Sequence, residues 1–541
     1  MKWQALTAVV GSILVIVLIS YVAVTATSQS TPDAGGTFIE GTAGIPTAIN
    51  PLFAISDVEK DLSALVFTGL TKVNRQGYVV PDLAEKWDIS EDNLVYTFHL
   101  RRDVKWHDGT AFTADDVVFT IHAIQDPQFP GSPFVADLWK NAIVEKVDDY
   151  TVKLTLKAPF SPIIGYASVG ILPAASFRGV AVKDIGSTNF RSQPIGTGPF
   201  KLTELTADSA TLDANNSYYG EKTPFLSKIR FRFFSDYKSA LTALKQKSIQ
   251  GLVIDAMEDV PGLRESKELT TYEAVRANYT AVFLNLKSVF FKDKNVRQAL
   301  LYALDRQKIV NQAVGGLGFV AHSPIVPNTW AYKTDVKQFG YDPEKAKALL
   351  DAAGWKLGAD GVRAKDGTRM SFALLTNDEK ARVRCAEEVA RQFRLLGIDV
   401  KVSASGYAGL IQNFLIPRKF DAILYGLSTG GDPDPYSWWH SSQAKPDGFN
   451  FASFANKRAD DLLEAARQTA DREKRIAYYD EFQGIFADEV PSLLLYYPTY
   501  VYAIDTLVKG PDFGVIFDSN SRFLNITDWY VRTKRTMFMT K

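Results

Sequence analysis

The strongest constraint on the fold is a regular alternation of strand and helix signals in the second half of the chain. Asp342-Pro343 starts a helix whose apolar residues recur at helical spacing until Gly354. The later signals are, in order, a strand at 371–376, a helix ending at Gly397, a strand at 398–402, a helix at 407–416, a strand at 420–425, helices at 457–470 and 472–488, and a strand at 493–497. This β-α-β-α-β order predicts an α/β unit with a largely parallel sheet.

The residues from about 70 to 185 follow a different pattern. Apolar and polar side chains alternate over 94–100, as they do in a half-buried strand. Thr113 is then placed to cap a helix with acids in its first turn, and Asp126-Pro127 ends that helix. We therefore expect a mixed α+β unit ahead of the α/β unit.

The first thirty residues decide the compartment. Lys2 precedes an almost wholly apolar stretch, Ala5–Ala26, and the next charge is Asp33. A helix of that length spans about 33 Å, enough to cross a hydrocarbon core of about 30 Å. A cleavable signal has a shorter apolar region, although Val24-Thr25-Ala26 would suit a cleavage site. A transmembrane anchor and a signal peptide therefore both stay open for residues 1–26, with a flexible linker expected over 27–36.

The composition excludes several classes of protein. Lys plus Arg and Asp plus Glu number 61 each, so no long-range field would hold nucleic acid. Cys385 is the only cysteine, which rules out an internal disulfide, a multi-cysteine metal site and a lipid-modified N-terminal cysteine. The five histidines show no paired ligand spacing, and phosphate-loop and dinucleotide motifs are missing from the sequence. We expect no cofactor, no metal and no catalytic activity.

A glycine-rich loop after the strand at 420–425 is the candidate recognition surface. Ligands of open α/β sheets collect beyond the carboxyl ends of the strands, and aromatic side chains on a rigidly based loop are frequent binding groups. The alternative is that the two adjacent tryptophans cap the core; neighbours in an extended chain point opposite ways, which favours only one of them facing a ligand. The candidate ligand-binding residues are Tyr407, Tyr425, Thr429, Asp432, Trp438 and Trp439.

A secreted serine hydrolase is the rival interpretation of the same loop. Gly426-Leu427-Ser428-Thr429-Gly430 fits the Gly-x-Ser-x-Gly pattern, in which a turn lifts the serine above a sheet. Pro433 and Pro435 argue against the helix that should follow. Only His440 lies downstream as a partner for Ser428. The motif is short, and the hydrolase stays an alternative.

Seven short blocks occur in a specific order and spacing. They are Asp82–Trp87, Tyr96–Arg101, Val104–Thr110, Thr113–Val117, Pro194–Phe200, Asn295–Leu300 and Tyr341–Ala346. Through these blocks the chain from about residue 36 to 541 resembles the solute-binding proteins of ABC importers in the peptide- and nickel-binding family, solute-binding protein family 5.

The resemblance implies a fold and its division along the chain. The fold would be a mixed α/β, two-lobed periplasmic-binding-protein fold with a hinge and an interlobe cleft, preceded by the N-terminal hydrophobic helix. The implied boundaries are 37–66, 190–276 and 500–541 for a discontinuous lobe I, 67–189 for a subdomain inserted in it, and 277–499 for lobe II. The resemblance also places His107 in the inserted subdomain, away from the cleft, with a structural role.

The resemblance further implies the function. A monomeric receptor would capture a peptide or similar solute outside the cytoplasm and deliver it to ABC permease subunits with their separate ATPase. It would stand on the outer face of the cytoplasmic membrane, or be secreted or periplasmic if the signal is cleaved, and it would not be a lipoprotein. The alternatives are the hydrolase that uses Ser428, and a binding protein for an oligosaccharide or other non-peptide solute.

Thr429 bears on the choice of solute. In the peptide-binding relatives an acid stands three residues before the aspartate of an Asp-Pro pair, where it neutralises the ammonium of the peptide. Thr429 has that place before Asp432-Pro433. A hydroxyl cannot neutralise an ammonium, and a buried unpaired charge costs several kcal/mol. Unless Asp432 or Asp434 takes over, we expect that a free N-terminal amine is not a strict requirement.

Overall fold

The computed structural model describes residues 28–537 and, before them, residues 3, 10, 11 and 13–15, which are helical. The predicted anchor or signal peptide at 1–26 therefore lies almost entirely outside the described residues. Within the described part of the chain, no helix is long and apolar enough to cross a membrane.

The strands before residue 276 are β1 (Ser28–Asp33), β2 (Thr37–Ala43), β3 (Thr71–Val73), β4 (Val79–Pro81), β5 (Ala84–Ile89), β6 (Val95–Leu100), β7 (Ala142–Asp148), β8 (Thr151–Leu156), β9 (Phe200–Leu205), β10 (Ser209–Ala214), β11 (Lys228–Phe234), β12 (Gly251–Val253) and β13 (Leu269–Val275). Those after it are β14 (Asn278–Leu284), β15 (Gly318–Val320), β16 (Lys356–Leu357), β17 (Arg363–Lys365), β18 (Thr368–Arg369), β19 (Ser371–Asn377), β20 (Asp399–Ser405), β21 (Ala422–Ser428), β22 (Ser492–Asp505) and β23 (Arg532–Met537).

The α-helices are α1 (Asp57–Val66), α2 (Ala114–Gln125), α3 (Pro133–Trp139), α4 (Ile163–Tyr166), α5 (Tyr237–Lys245), α6 (Val260–Arg264), α7 (Lys294–Tyr302), α8 (Arg306–Val314), α9 (Pro343–Ala352), α10 (Lys380–Arg394), α11 (Tyr407–Leu410), α12 (Tyr436–Trp439), α13 (Lys457–Gln468) and α14 (Arg472–Glu489). A π-helical turn spans Ile411–Leu415, and 3-10 turns span Ala174–Phe177, Val182–Ser187, Asn189–Arg191, Met257–Asp259, Ser441–Gln443, Ser519–Phe523 and Ile526–Asp528.

The longest strand, β22, joins the two lobes. Its first half pairs with β14 and β15, and its second half pairs with β12 and β13. On one side the sheet continues as β14-β21-β19-β20, and on the other side as β12-β2-β11-β10-β9. The chain crosses between the two sides a second time where β13 ends and β14 begins. Two backbone crossings therefore hold the lobes together.

Separate hydrophobic cores mark the lobes. One core combines residues from before 234 with Ala274 and residues from 500 onward, so its lobe is discontinuous in sequence. A second core lies wholly between residues 282 and 496. The fold is the mixed α/β architecture expected from the sequence, and the individual domain boundaries given above remain predictions.

The helix and strand signals of the second half are confirmed. The Asp342 carboxylate accepts a hydrogen bond from the Lys345 amide at 2.9 Å and so caps α9, with Pro343 in the first turn. Gly354 and Gly397 follow α9 and α10 with φ of +89° and +80°, a conformation that favours glycine. β19 runs parallel to β20 and β21, as predicted. β14 pairs antiparallel with both β21 and β22, so the sheet is mixed and not largely parallel.

Two elements differ in extent from the sequence signals. The helix expected at 407–416 is split into α11 and the π-helical turn that follows it. The strand expected to end at Tyr497 continues to Asp505 as β22. Pro498 lacks an amide donor, but its carbonyl accepts a hydrogen bond from Arg276 at 3.1 Å, which lets the strand continue past the proline.

The mixed unit near the start of the chain is also found. β5, β6, β8 and β7 form an antiparallel sheet, and α2 packs against β7 and β8. The Asp116 carboxylate accepts a hydrogen bond from the Thr113 amide at 3.0 Å at the start of α2.

The segment expected to be a flexible linker, 27–36, differs from that expectation. Ser28–Asp33 forms β1, which pairs antiparallel with β23 near the other end of the chain. The Thr31 hydroxyl donates to the Lys534 carbonyl at 3.3 Å. The distant strand supplies the backbone partners that the polar sequence gave no reason to expect.

A buried charge cluster ties the segment after β22 to the sheet and to α1. Arg522 donates to Glu40 at 2.9 Å and to Asp61 at 3.0 Å, and all three side chains are buried. Tyr502 donates its hydroxyl to Glu40 as well. Burial raises the pKa of Glu40 to about 7. The charge of Arg522 opposes this rise, and the charge of the neighbouring Asp61 carboxylate adds to it.

This cluster predicts a pH dependence of stability. The folded protein holds the Glu40 proton more tightly than the unfolded chain, so this contribution is complete below pH 4.5 and is lost as the pH rises towards 7. Replacing Glu40 by Gln should remove that loss and change the slope of the unfolding free energy with pH by up to about 1.4 kcal/mol per pH unit. Urea unfolding between pH 4.5 and 7 measures it, with exposed Glu91→Gln as the matched control; equal slopes in both variants would contradict the assignment.

Candidate ligand-binding site

A cavity of about 240 Å³ lies where the two lobes meet. Lobe I contributes the end of β2, the start of α1, the residues after β12 and the segment from 516 to 522. Ala277, Asn278 and Ser428 line it from the other side. The cavity thus lies directly beside the two backbone crossings, where a rotation of one lobe against the other would change its shape.

The backbone fixes the cavity wall at these crossings. The Arg276 amide donates to the Pro498 carbonyl at 3.1 Å, and the Ile254 amide donates to Val501 at 2.9 Å. Thr429 donates both its amide, at 2.9 Å, and its hydroxyl, at 3.1 Å, to the Ala277 carbonyl. The wall residues Asn278, Ser428 and Tyr500 are therefore carried by strands, and the backbone of Arg276 is held by the Pro498 carbonyl.

Two acids of the wall are already paired. Asp61 belongs to the Arg522 cluster, and Asp518 lies 3.1 Å from the ammonium of Lys60. Both acids therefore already have a cationic partner within the protein.

Three further charges of the wall have no ion-pair partner within 4 Å among the described residues. They are Asp57, Asp255 and Arg276. Arg276 lies with its guanidinium 4.9 Å from the ring centre of Tyr500, a cation–π contact that leaves its N–H donors free. Desolvation raises the pKa of Asp255, the charge of Arg276 opposes the rise, and the charge of Asp57 adds to it. Asp255 and Arg276 therefore interact electrostatically without forming an ion pair.

Three polar atoms of wall residues also lack hydrogen-bond partners among the described residues. They are the hydroxyl of Tyr500, a residue only 1% exposed, the amide oxygen of Asn278 and the Nε of Arg522. Buried polar groups in native proteins are nearly always satisfied. A polar solute in the cavity would supply the missing partners.

None of the six residues predicted from the sequence belongs to the wall of this cavity. Tyr407 and Tyr425 form a pair, with hydroxyl oxygens 2.9 Å apart and stacked rings. Thr429 follows Ser428, which does line the cavity. Trp438 is half-buried against Phe449, with ring centres 5.1 Å apart. For these four residues a ligand contact remains a prediction.

Trp439 and Asp432 have structural partners, and a ligand contact of either residue stays a prediction. Trp439 is 1% exposed, donates from its indole to the Tyr279 hydroxyl at 3.2 Å and stacks on Phe283, as in the core-capping alternative. The Asp432 carboxylate accepts two hydrogen bonds from Arg475, at 2.7 and 3.1 Å, and both side chains are nearly buried.

Asp434 is engaged in the same way, by Arg467 at 2.6 Å. The two acids proposed as substitutes for Thr429 are therefore both neutralised by arginines, and neither has a free carboxylate for an ammonium.

The residues that sequence reasoning missed are Asp255, Arg276, Asn278 and Tyr500. Three of them lie within 255–278, whereas Tyr500 is more than 200 residues further along the chain, and together they form no motif. The one available signal is a charge, Arg276, between apolar residues at the junction of two strand patterns.

The serine hydrolase arrangement is not assembled. Ser428 ends β21 opposite Asn278, and the chain does not enter a helix again until the four-residue α12. His440 bonds through Nδ1 to Ser442 at 2.8 Å and stacks on Tyr436. Its Nε2 lies 3.2 Å from a carboxylate oxygen of Glu464.

His107 has the structural role that the sequence analysis expected. Its Nδ1 accepts from the Gly196 amide at 3.3 Å, so Nε2 donates to the Gly198 carbonyl at 3.1 Å. Burial lowers the pKa of His107 to about 4 and keeps the ring neutral. Among the described residues, no group of three or more His, Cys, Asp or Glu is arranged to hold a metal ion.

Comparison with known proteins agrees with this architecture. Residues 78–448 match the family model of bacterial extracellular solute-binding proteins, family 5 Middle. The oligopeptide-binding protein AppA of Bacillus subtilis (strain 168) is 33% identical over 514 residues, which cover 93% of each chain. The dipeptide-binding protein of Escherichia coli (strain K12) is 28% identical over 496 residues, 88% of this chain and 91% of its own.

Two solved structures show the same two-lobed fold. AppA from Bacillus subtilis in complex with a nonapeptide has a TM-score of 0.70 at 32% identity, covering 93% of this chain and all of its own. NikZ from Campylobacter jejuni in complex with Ni(L-His) has a TM-score of 0.72 at 31% identity, covering 91% and 99%. The chain belongs to family 5 of the bacterial extracellular solute-binding proteins.

The adjacent tryptophans should differ in what they stabilise. Replacing Trp439 by Ala should lower the free energy of unfolding by about 3–5 kcal/mol, because a fully packed indole leaves a cavity. Replacing half-buried Trp438 should lower it by less than about 2 kcal/mol. Urea unfolding of both variants measures the difference; similar small losses would show that Trp439 is not a core residue.

Proposed function

We propose that this protein is the extracytoplasmic receptor of an ABC importer, which captures a peptide in the cavity between its lobes and delivers it to the permease. The observation that carries the proposal is the cavity beside the two crossings, whose wall has charges and polar atoms without a partner in the described part of the chain. Family membership supports the receptor role, and the named relatives that bind oligopeptides and dipeptides favour a peptide as the solute.

Closure of the lobes would retain the solute. Contacts also exist away from the crossings: the Ser161 amide donates to the Arg467 carbonyl at 2.7 Å, and Arg472 lies over the ring of Tyr78 at 4.6 Å. Such contacts support a closed arrangement as the solute-holding form. Rotation about the crossings at 276–278 and 498–500 would separate these contacts and open the cavity.

The proposed receptor binds its solute and catalyses no reaction on it. Ser428 has no hydrogen bond to His440 among the described contacts, and the buried acids of the loop are neutralised by arginines. We propose a monomer that meets the permease subunits with their ATPase at the outer face of the cytoplasmic membrane. Residues 1–26 serve as its anchor or, if cleaved, as its signal peptide.

A peptide library tests the receptor function and the hydrolase alternative together. The purified protein, freed of solute by unfolding and refolding, should retain tripeptides from a mixed library, as detected by mass spectrometry. Ser428→Ala should still retain peptides, with an affinity loss of no more than about tenfold, because Ser428 lines the cavity and can contribute at most a neutral hydrogen bond. Peptide cleavage by the wild type that disappears in this variant would contradict a pure binding role.

The anchor proposal has its own test. The full chain should sediment with membranes, whereas a chain beginning at Thr27 should be released and still bind peptide, because the apolar segment contributes the membrane affinity. N-terminal sequencing of native material distinguishes the alternatives. A mature N-terminus near Thr27 would contradict the anchor and establish a signal peptide.

A further inference from the structure

We propose that Arg276 and Asp255 bind the two oppositely charged ends of the solute, so that the cavity selects short peptides with both a free carboxylate and a free ammonium group. The inference rests on the proposed function and names the class of solute within it. It departs from the expectation, drawn from Thr429, that a free amine is not required.

The charged groups of the cavity wall determine which kind of solute the cavity can hold. With Asp61 held by Arg522 and Asp518 held by Lys60, the charges left without partners are Arg276, Asp255 and Asp57. One positive and two negative groups thus face the same space of about 240 Å³. A neutral sugar would leave all of them unpaired, whereas a zwitterion would pair both signs and keep a negative excess next to its ammonium.

Arg276 is suited to a carboxylate. Its backbone is fixed to Pro498, and its guanidinium lies over Tyr500. The stacked face is therefore occupied, while the edge with five N–H donors is free for the two oxygens of a carboxylate. Among the described residues it makes no side-chain hydrogen bond and no ion pair, which leaves this capacity unused.

Asp255 is the better of the two acids for an ammonium. Asp57 is the first residue of α1, where the amide groups of the helix start already stabilise a negative charge. Asp255 follows Ile254, which is hydrogen-bonded to β22, and precedes the short 3-10 turn Met257–Asp259 rather than standing in the first turn of an α-helix. The positive charge that acts on Asp255 is that of Arg276, with which it forms no ion pair within 4 Å among the described residues. Asp57 adds negative potential without needing to touch the solute.

The unpartnered polar atoms complete the site. The Asn278 amide oxygen can accept a hydrogen bond from a peptide N–H group, and the buried Tyr500 hydroxyl can donate or accept one. Both belong to the wall that carries Arg276. The cavity therefore offers groups that can bind the charged ends of a peptide and its backbone. None of these groups would distinguish one peptide side chain from another.

The test uses a mixed tripeptide library in three forms: free, N-acetylated and C-amidated. The wild type should retain the free form at least about tenfold better than either blocked form, because each block removes one charge-assisted contact. Arg276→Gln should abolish the preference for the free form over the amidated form and keep the preference over the acetylated form. Asp255→Asn should abolish the preference for the free form over the acetylated form and keep the preference over the amidated form.

Matched controls separate recognition from folding. Exposed Arg178→Gln and Asp103→Asn, outside the cavity, should keep both preferences. Arg276→Lys and Asp255→Glu keep the charges and should restore much of each preference, which a merely structural role would not do. Retention of blocked and free peptides alike by the wild type would overturn the inference and leave the receptor function standing. Failure to retain any form would overturn both.

Discussion

The pairing of β22 with strands from both lobes is the interaction on which the rest of the structure depends. Its first half belongs to the sheet of one lobe and its second half to the sheet of the other. Nearly every residue of this strand is buried, so it cannot leave either sheet without exposing apolar surface. The lobes are consequently tied at this strand and at the neighbouring crossing, about which the proposed closure would rotate them.

The cavity and its chemistry follow from that arrangement. Because β13 and β14 cross beside β22, Arg276 and Asn278 are brought together with Tyr500, which is more than 200 residues away in sequence. Pro498 has no amide of its own to bond, but its carbonyl holds the Arg276 backbone. Asp61 and Arg522 also line the cavity, and together with Glu40 they form a buried cluster in which each charge has a partner within the protein.

Much of the fold could be predicted from local patterns, whereas little of the site could. Asp342-Pro343, Gly354 and the period-two run at 94–100 report local backbone preferences, and those elements are present. Asp432 and Trp439 were reasonable binding candidates from their loop, but their roles depend on Arg475 and Tyr279, which no short-range pattern connects to them. The cavity residues were missed for the same reason: long-range pairing, not spacing, assembles them.

The structure of the protein with a retained peptide would test the account most directly. We predict that the peptide lies between the lobes beside the crossings, with its carboxylate at Arg276, its ammonium at Asp255 and a backbone N–H group at Asn278. A peptide bound instead beside Tyr407 and Trp438, with only water at Arg276 and Asp255, would contradict the central claim that the junction of the lobes is the binding site.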